Sequence, residues 1–477
     1  MAGWQTTVVA FLARTLERCG IIDAERFRPT VDLAWPRIVT GFAIMSKQTA
    51  DLAMVGVAVG TAGTAGLAYA LAFWEIVTML GLGLAGGTVS LVSQNYGGAE
   101  TGRASLVVTQ SVLLAVGIAL PLAAAFLLLA DPLIGLFDAE PESIAHGATY
   151  LTYVAPAVLF ELLNLIASRT YTGVGDTFTE MVARAGGAAL NILISGLLIF
   201  GFGLGVAGAA IGTTLSTGFV TVVLAWGMVG RSYGVLGMES SPVPLTRSGP
   251  WLEPTLLAQL VEISAPEIGR RLAQGIVVFP LLWVAGSFGP VVVTALEVGR
   301  RVRALINSVN WGLSLAASSL VGQRLGANDE AGAGAYGMGI IRLSALCYAT
   351  IAVLVVAFAD PIASLFVGSD GLALASAFVA VGAVSSIGFG IDGAASGALL
   401  GAGDTRWPFV ASLVGRYGFA LPAAALGLVT ALDVAGLYLA LLLETAVPGG
   451  INYWLFRSGR WKVVSRRYRP SSETAEQ

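Results

Sequence analysis

The stretch Lys47-Gln-Thr-Ala-Asp51-Leu-Ala-Met54-Val55-Gly56 decides how this chain is read. It lies near the end of a long apolar run that begins around Leu33-Ala-Trp-Pro36. Lys47 and Asp51 stand one helical turn apart, so they share a helix face. A charge at membrane depth is costly and faces a protein interior or a wet cavity, with a partner. If the run spans a bilayer, Asp51 is a candidate for the group that takes up and releases a cation.

Composition says that it spans. The 477 residues are 56% hydrophobic and 12% charged, with 61 glycines. A soluble domain carries about twice that charge and far less glycine. Small residues let membrane helices approach closely. The net charge of −3 argues against nucleic acid as a partner. Cys19 and Cys347 are too few and too far apart for a disulfide framework or a cysteine metal site. With His146 the single histidine, a His-rich zinc site is excluded and a Ser/His/Asp triad has little to draw on.

A span needs about 20 mostly apolar residues. Twelve segments qualify, near 33–57, 64–93, 105–130, 148–170, 178–202, 205–229, 258–286, 293–320, 339–359, 372–399, 408–428 and 434–456. Around them lie an N-terminal segment (1–32), expected as an amphipathic helix on the cytoplasmic membrane surface, and a polar linker (231–256). A basic, then polar, tail follows (458–477). The linker separates an N-lobe (33–230) from a C-lobe (257–457). Lys and Arg favour cytoplasmic loops. Arg103, Arg231, Arg247, Arg324 and Arg406 all fall in even-to-odd loops, and the region around 130–147 has Asp131, Asp138, Glu140 and Glu142 but no Lys or Arg. Both termini are therefore expected in the cytoplasm.

The chain also repeats. Pro36 pairs with Pro266, LVSQNYGGAE (91–100) with LVGQRLGAND (320–329), and Ala130-Asp-Pro-Leu-Ile with Ala359-Asp-Pro-Ile-Ala. GVGDTFTEM (173–181) pairs with GAGDTRWPF (401–409), and Gly205-Val-Ala-Gly208 with Val434-Ala-Gly436. The fold expected is an all-α polytopic membrane protein of twelve helices, in two six-helix halves related by a pseudo-twofold axis along the membrane normal. Repeat interfaces near mid-membrane are where transporters place their sites. Position 51 corresponds to Leu281 in the second half. Shared architecture thus does not require the acid, and its presence on one side puts the ion site in the N-half.

With Asp51-x-x-Met54-Val55-Gly56, the paired Gln94 and Gln323 motifs, the paired Gly-x-Gly-Asp-Thr loops and Val206-Ala-Gly-Ala-Ala-Ile, the chain resembles the multidrug and toxic compound extrusion (MATE) transporters from Leu33 to Phe456. The Asp-bearing first helix looks most like the archaeal and DinF-like branch. The resemblance implies antiport, an organic cation or other amphipathic solute leaving while H⁺ or Na⁺ enters. It implies cation binding at Asp51, with Asn191 of helix 5 and Thr213 of helix 6. Some relatives carry a second Asp one turn after Asn191, where this chain has Ser195. One carboxylate with amide and hydroxyl oxygens suits either ion, and Na⁺ at Asp51, Asn191 and Thr213 stays open. Other branches place a carboxylate in helix 10 near the height of Asp392 and a Glu in helix 7 where this chain has Gln274, which cannot ionise.

Other charges allow two readings each. Lys47 and Asp51 form either a structural ion pair or part of the ion site. Lys47 is either an internal counter-cation or a residue that snorkels toward the cytoplasm. Glu75 lies in helix 2, and Glu161 and Asn164 lie three apart on helix 4. Arg300, Arg301 and Arg303 fall mid-span in helix 8, where Glu297 and Arg301 have pair spacing. Glu297, Glu75 and Asp392 are the expected partners. The arginines either exclude cations and bind an anionic group, or tie C-half helices together. Gly81-x-Gly83-x-x-Gly86 and Gly203-x-Gly205-x-x-Gly208 follow no soluble strand and are not dinucleotide loops.

The function expected is secondary active efflux of small organic compounds. No catalytic residue is assigned and no cofactor beyond H⁺ or Na⁺. The setting expected is a monomer among the lipids of the cell (plasma) membrane. A lipid-linked saccharide flippase of the same superfamily is the alternative. A membrane-embedded transferase is a further one, but the chain lacks the clustered carboxylates that would hold Mg²⁺.

Overall fold

The computed structural model describes residues 2–137, 140–234, 237–245 and 252–469. Asp138, Arg247 and the tail beyond Arg469 lie outside these residues, as does part of the linker. Among the described residues there is no strand, and twelve helices are long and apolar enough to cross a membrane. The first half holds α1 (Ala2–Arg18), α2 (Ala24–Val59), α3 (Thr61–Gly97), α4 (Thr101–Leu128), α5 (Ala130–Gly135), α6 (Pro141–Val174), α7 (Phe178–Gly196) and α8 (Gly205–Met228). The second holds α9 (Pro254–Ile276), α10 (Val278–Ser287), α11 (Pro290–Gly326), α12 (Glu330–Ala357), α13 (Ala359–Ala363), α14 (Leu372–Gly401), α15 (Arg406–Leu413), α16 (Leu421–Val429), α17 (Ala435–Arg457) and α18 (Trp461–Ser465). Helices α9 and α10 together make the seventh span, and α15 and α16 lie within the eleventh. The repeated Ala-Asp-Pro segments are the two short helices α5 and α13. Two π-helical turns occur, Leu197–Gly201 after α7 and Val414–Ala420 between α15 and α16.

Most spans run several residues past the expected limits. Hydropathy marks only what contacts lipid, whereas backbone hydrogen bonding carries a helix on until a capping residue stops it. The paired Gly-Asp-Thr loops show such stops. Gly175 (φ +93°) and Gly403 (φ +80°) adopt the left-handed conformation that favours glycine. Asp176 N–H donates to Tyr171 O at 2.9 Å and Asp404 N–H to Leu399 O at 2.9 Å, the same closing bond in both halves. Each Asp then caps the next helix: Asp176 Oδ1 accepts from Thr179 N–H at 2.9 Å, and Asp404 accepts from Trp407 N–H. The role of these loops is conformational.

Contacts divide the described chain into two compact units. One is formed by Pro36–Tyr96 and Glu100–Ser264. The other holds the described residues up to Trp35, then Gly97–Ala99, then those from Ala265 onward. The divisions in α2 and α9 fall beside Pro36 and Pro266, the two prolines that the repeat pairs. The first unit has one apolar core, built on residues such as Val55, Leu84, Leu151, Leu162 and Ala210. In the second unit, Ala13, Ile22, Phe27 and Leu33 of the N-terminal segment pack with Leu313, Ile340, Leu399 and Phe456. Arg342 Nη1 donates to Gly20 O at 3.0 Å. The segment read from sequence as a surface helix is thus joined to C-half helices. Leu193, Val222, Phe279, Trp283 and Val353 are exposed, as lipid contact requires.

Asp176 and Asp404 lie outside the spans, and burial pushes both carboxyls up from the ordinary range. Their folded pKa then exceeds the unfolded value, so the stability they contribute is complete below the ordinary carboxylate pKa. It is lost as pH rises through the folded pKa. Asp404→Asn keeps an acceptor for Trp407 N–H but has no proton to lose. Thermal melting of purified protein from acidic to neutral pH is expected to show a smaller loss of stability in Asp404→Asn than in wild type. Asp404→Ala is expected to be about 1 kcal/mol less stable at every pH, because the cap is gone.

Candidate functional site

Glycine brings α7 and α8 together. A Cβ on Gly187 would stand 2.1 Å from Val220 Cγ2, and one on Gly212 would stand 2.3 Å from Ser195 Oγ and 2.9 Å from Ser195 N. Such contact lets short polar side chains meet across the pair. On α7, Glu180, Arg184, Gly187, Asn191 and Ser195 recur at three or four residues and form one face. On α2, Lys47, Asp51 and Val55 form another. Asp51 is 5% exposed, Thr213 2%, and Asn191 and Ser195 are fully buried. Lys47 is half-buried.

Asn191 holds the centre. With its amide nitrogen toward α2, Nδ2 donates to both Asp51 carboxylate oxygens at 3.2 Å, while Oδ1 accepts from Thr213 N–H at 3.1 Å and from Thr213 O–H at 3.2 Å. Turned over, the amide would set Oδ1 against the Asp51 oxygens and Nδ2 against Thr213 N–H, acceptor on acceptor and donor on donor, so its neighbours fix the first orientation. That orientation suits an ionised carboxylate. Ser195 Oγ lies beside Asp51 but makes no hydrogen bond of good geometry. Tyr150 of α6, which the sequence reading missed, is 3% exposed and points its hydroxyl at Thr213, within electrostatic reach of Asp51.

No ion pair within 4 Å joins Lys47 to Asp51 among the described residues, and Lys47 has no hydrogen-bond partner there. It lies within electrostatic reach of Asp51, Glu161 and Arg184. Arg184 Nη2 donates to Glu161 Oε1 at 2.9 Å. Deeper in the same unit, Arg37 Nη1 donates to Glu180 Oε1 at 3.0 Å, with Thr172 O–H on Glu180 Oε2 at 3.1 Å. Charges of alternating sign thus run through the unit: Arg37, Glu180, Arg184, Glu161, Lys47, Asp51. Arg37, Glu180 and Arg184 were not singled out from sequence. The spacing 180, 184, 191, 195 was the available signal.

The remaining candidates lie elsewhere. Glu75 is exposed on α3. Asn164 turns to α8, where Nδ2 donates to Thr217 O at 3.1 Å, so it and Glu161 serve different helices. Gln274 is half-buried on α9 and Asp392 is buried on α14, in the other unit, where Asn452 Nδ2 donates to Asp392 Oδ1 at 2.7 Å. The expected partners of the helix-8 arginines need correction. Glu297 pairs with Arg300 at 3.5 Å rather than with Arg301, which is exposed. Arg303 Nη2 donates to Glu444 of α17 at 3.0 Å, a partner not foreseen. Helical spacing ranks neighbours on one helix, but the buried pair is decided by a helix 141 residues away. Among the described residues, no group of three or more His, Cys, Asp or Glu is placed to hold a metal ion.

The MatE family profile matches residues 36–197 and 266–426. The chain is 27% identical over 451 residues to a probable multidrug resistance protein NorM of Bradyrhizobium diazoefficiens, covering 91% of this chain and 94% of that one. It is 28% identical over 412 residues to the multidrug resistance protein PmpM of Pseudomonas aeruginosa, covering 84% of each. A crystal structure of a MATE protein in its bent conformation superposes with a TM-score of 0.84 at 20% identity, covering 93% of this chain and 97% of that one. With bacterial NorM and PmpM as the relatives, the archaeal and DinF-like placement is not supported.

If α7–α8 contact through glycine builds the site, Gly212→Ala should disturb it. The added Cβ displaces the Ser195 backbone, with an expected cost of about 1–3 kcal/mol and a weakened response to added Na⁺ or to a pH step. Gly186→Ala is the control, because nothing lies within 4 Å of its added Cβ. Thermal melting with and without cation reads both. Equal behaviour of the two variants would refute the contact's role.

Proposed function

The chain belongs to the MatE family, and on that premise we propose a multidrug efflux transporter in which Asp51 carries the coupling cation. One observation supports this above others: a buried carboxylate sits against the Asn191 amide and beside the Thr213 hydroxyl, with the Lys47 ammonium one helical turn away and without a hydrogen-bond partner among the described residues. Each part responds to whether Asp51 is occupied.

In the empty state Asp51 is ionised. Asn191 presents its NH₂ to the carboxylate, and the Lys47 ammonium balances it from one turn away. Entry of H⁺ or Na⁺ neutralises Asp51. Lys47 then moves toward Glu161, the other carboxylate within reach. The exchange links an ion on one residue to side chains on α2, α6, α7 and α8. A cation moves a conformational equilibrium only by its differential affinity for the two states. Substrate bound to the opposite state must weaken the cation in return by the same factor. Both H⁺ and Na⁺ fit this scheme, because it requires one carboxylate with the Thr213 hydroxyl beside it.

The substrates are small organic compounds, amphipathic or cationic, held by apolar surface. The working form is a monomer in the cell membrane. An even number of spans and the basic residues beyond Arg457 support a reading in which both termini are cytoplasmic. A lipid-linked saccharide flippase is not favoured beside NorM and PmpM relatives. No enzymatic step is part of the scheme.

Proteoliposomes give the test. An inward H⁺ or Na⁺ gradient is expected to drive export of a fluorescent organic cation, and Asp51→Asn to abolish the dependence on the gradient. Charges about 5–6 Å apart at an effective dielectric of about 20 interact by roughly 3 kcal/mol. Lys47→Gln should therefore raise apparent cation affinity at least about tenfold. Unaltered coupling in Asp51→Asn would overturn the mechanism. An unshifted midpoint in Lys47→Gln would remove Lys47 from it.

A further inference from the structure

The C-half unit holds a second buried charge cluster that the Asp51 scheme does not use. Glu267 receives Arg270 Nε at 2.8 Å and Arg271 Nη2 at 2.9 Å. Glu444 receives Arg303 Nη2 at 3.0 Å and stands 3.7 Å from Arg416 Nε. Arg416 is 2% exposed, lies in a π-helical turn, and donates from Nη1 to Ser412 Oγ at 2.5 Å. Arg300 reaches Glu444 electrostatically and pairs at 3.5 Å with Glu297, which is half exposed. Asp392, held by Asn452, lies within electrostatic reach of Arg270 and Arg416. Five guanidinium groups (Arg270, Arg271, Arg300, Arg303 and Arg416) thus face four carboxylates (Glu267, Glu297, Asp392 and Glu444), which leaves one positive charge over.

Buried charges are ordinarily paired. Here the excess coincides with unused donors: Arg300 Nε, Arg303 Nη1 and Arg416 Nε are buried and make no hydrogen bond. All three belong to arginines gathered around Glu444. Two of the arginines retain access, with side chains 18% (Arg300) and 14% (Arg303) exposed. Guanidinium forks match the two oxygens of an oxyanion, and a carboxylate supplies both the charge and the acceptors that are lacking.

We propose that Arg300, Arg303 and Arg416 form an oxyanion site that takes the carboxylate of an amphipathic solute. The site lies within one unit, separate from Asp51. Only the solute's role as cargo rests on the efflux reading; binding does not. An amphipathic solute with a carboxylate would thus be recognised in the C-half while the cation acts in the N-half.

The probe is 1-naphthoate, compared with the uncharged 1-naphthamide, on purified full-length protein in phosphatidylcholine nanodiscs. Wild type is expected to bind naphthoate at least tenfold more tightly than naphthamide. Arg300→Gln, at a part-exposed position, is expected to remove that preference and leave naphthamide binding unchanged. Arg303→Gln is a second variant should the first compensate. Equal affinities for the two probes in wild type, or a preference retained in both variants, would overturn the site. Phosphatidylglycerol in the disc is expected to leave the naphthoate Kd unchanged; a weakened Kd would overturn assignment to a soluble solute, since a lipid headgroup would then be the competitor. Gradient-driven export of an organic cation is measured in parallel. It is expected to persist in Arg300→Gln, and its absence in wild type would strike the efflux reading alone.

Discussion

A bilayer offers no water to a buried charge, and the rest of this structure follows from that constraint. Each ionised group inside a span needs donors, acceptors or an opposite charge from neighbouring helices. Asp51 meets the requirement with Asn191 and Thr213, two residues on helices that glycine has brought together. Its neighbour Lys47 meets it only by proximity to Asp51 and Glu161. A carboxylate held by neutral donors, with its counter-charge at a distance, can exchange an occupant. One paired directly, such as Glu180 under Arg37 and Thr172, anchors helices instead.

The two halves share a scaffold and differ in what occupies their buried polar sites. Both use a glycine and an aspartate to turn between the fourth and fifth spans of the half, and both have a π-helical turn in the fifth span. The N-half places an amide, Asn191, and a hydroxyl, Ser195, within two turns before its π-helical turn. The C-half places Arg416 inside its own. Leu281 stands where the N-half has Asp51, and Gln274 cannot ionise. On the proposed reading, the ion acts at the carboxylate of one half and the cargo at the guanidinium groups of the other.

Twelve spans were legible because twenty apolar residues are long enough to register against any local variation. The repeat was legible because its landmarks are glycines, prolines and aspartates with fixed backbone roles, as at Gly175 and Gly403. Asp51, Asn191, Ser195 and Thr213 were carried by family resemblance, and the structure places them together. Partner choice was not legible. Arg303 meets Glu444 and Arg37 meets Glu180 across 141 and 143 residues of sequence, and nothing local encodes which of several carboxylates a guanidinium will face. Glu75 illustrates the converse: a charge within a span can lie on the outside of its helix.

The central claim is that one carboxylate, Asp51, gains and loses the coupling cation. Difference infrared spectroscopy reads this on the purified protein without transport. A step in pH or in Na⁺ concentration should change the carboxyl bands, with a protonated-carboxyl signal appearing if the ion is H⁺ and a shifted carboxylate stretch if it is Na⁺. The account predicts that this signal is present in wild type and absent from Asp51→Asn. The same signal persisting in Asp51→Asn would contradict it.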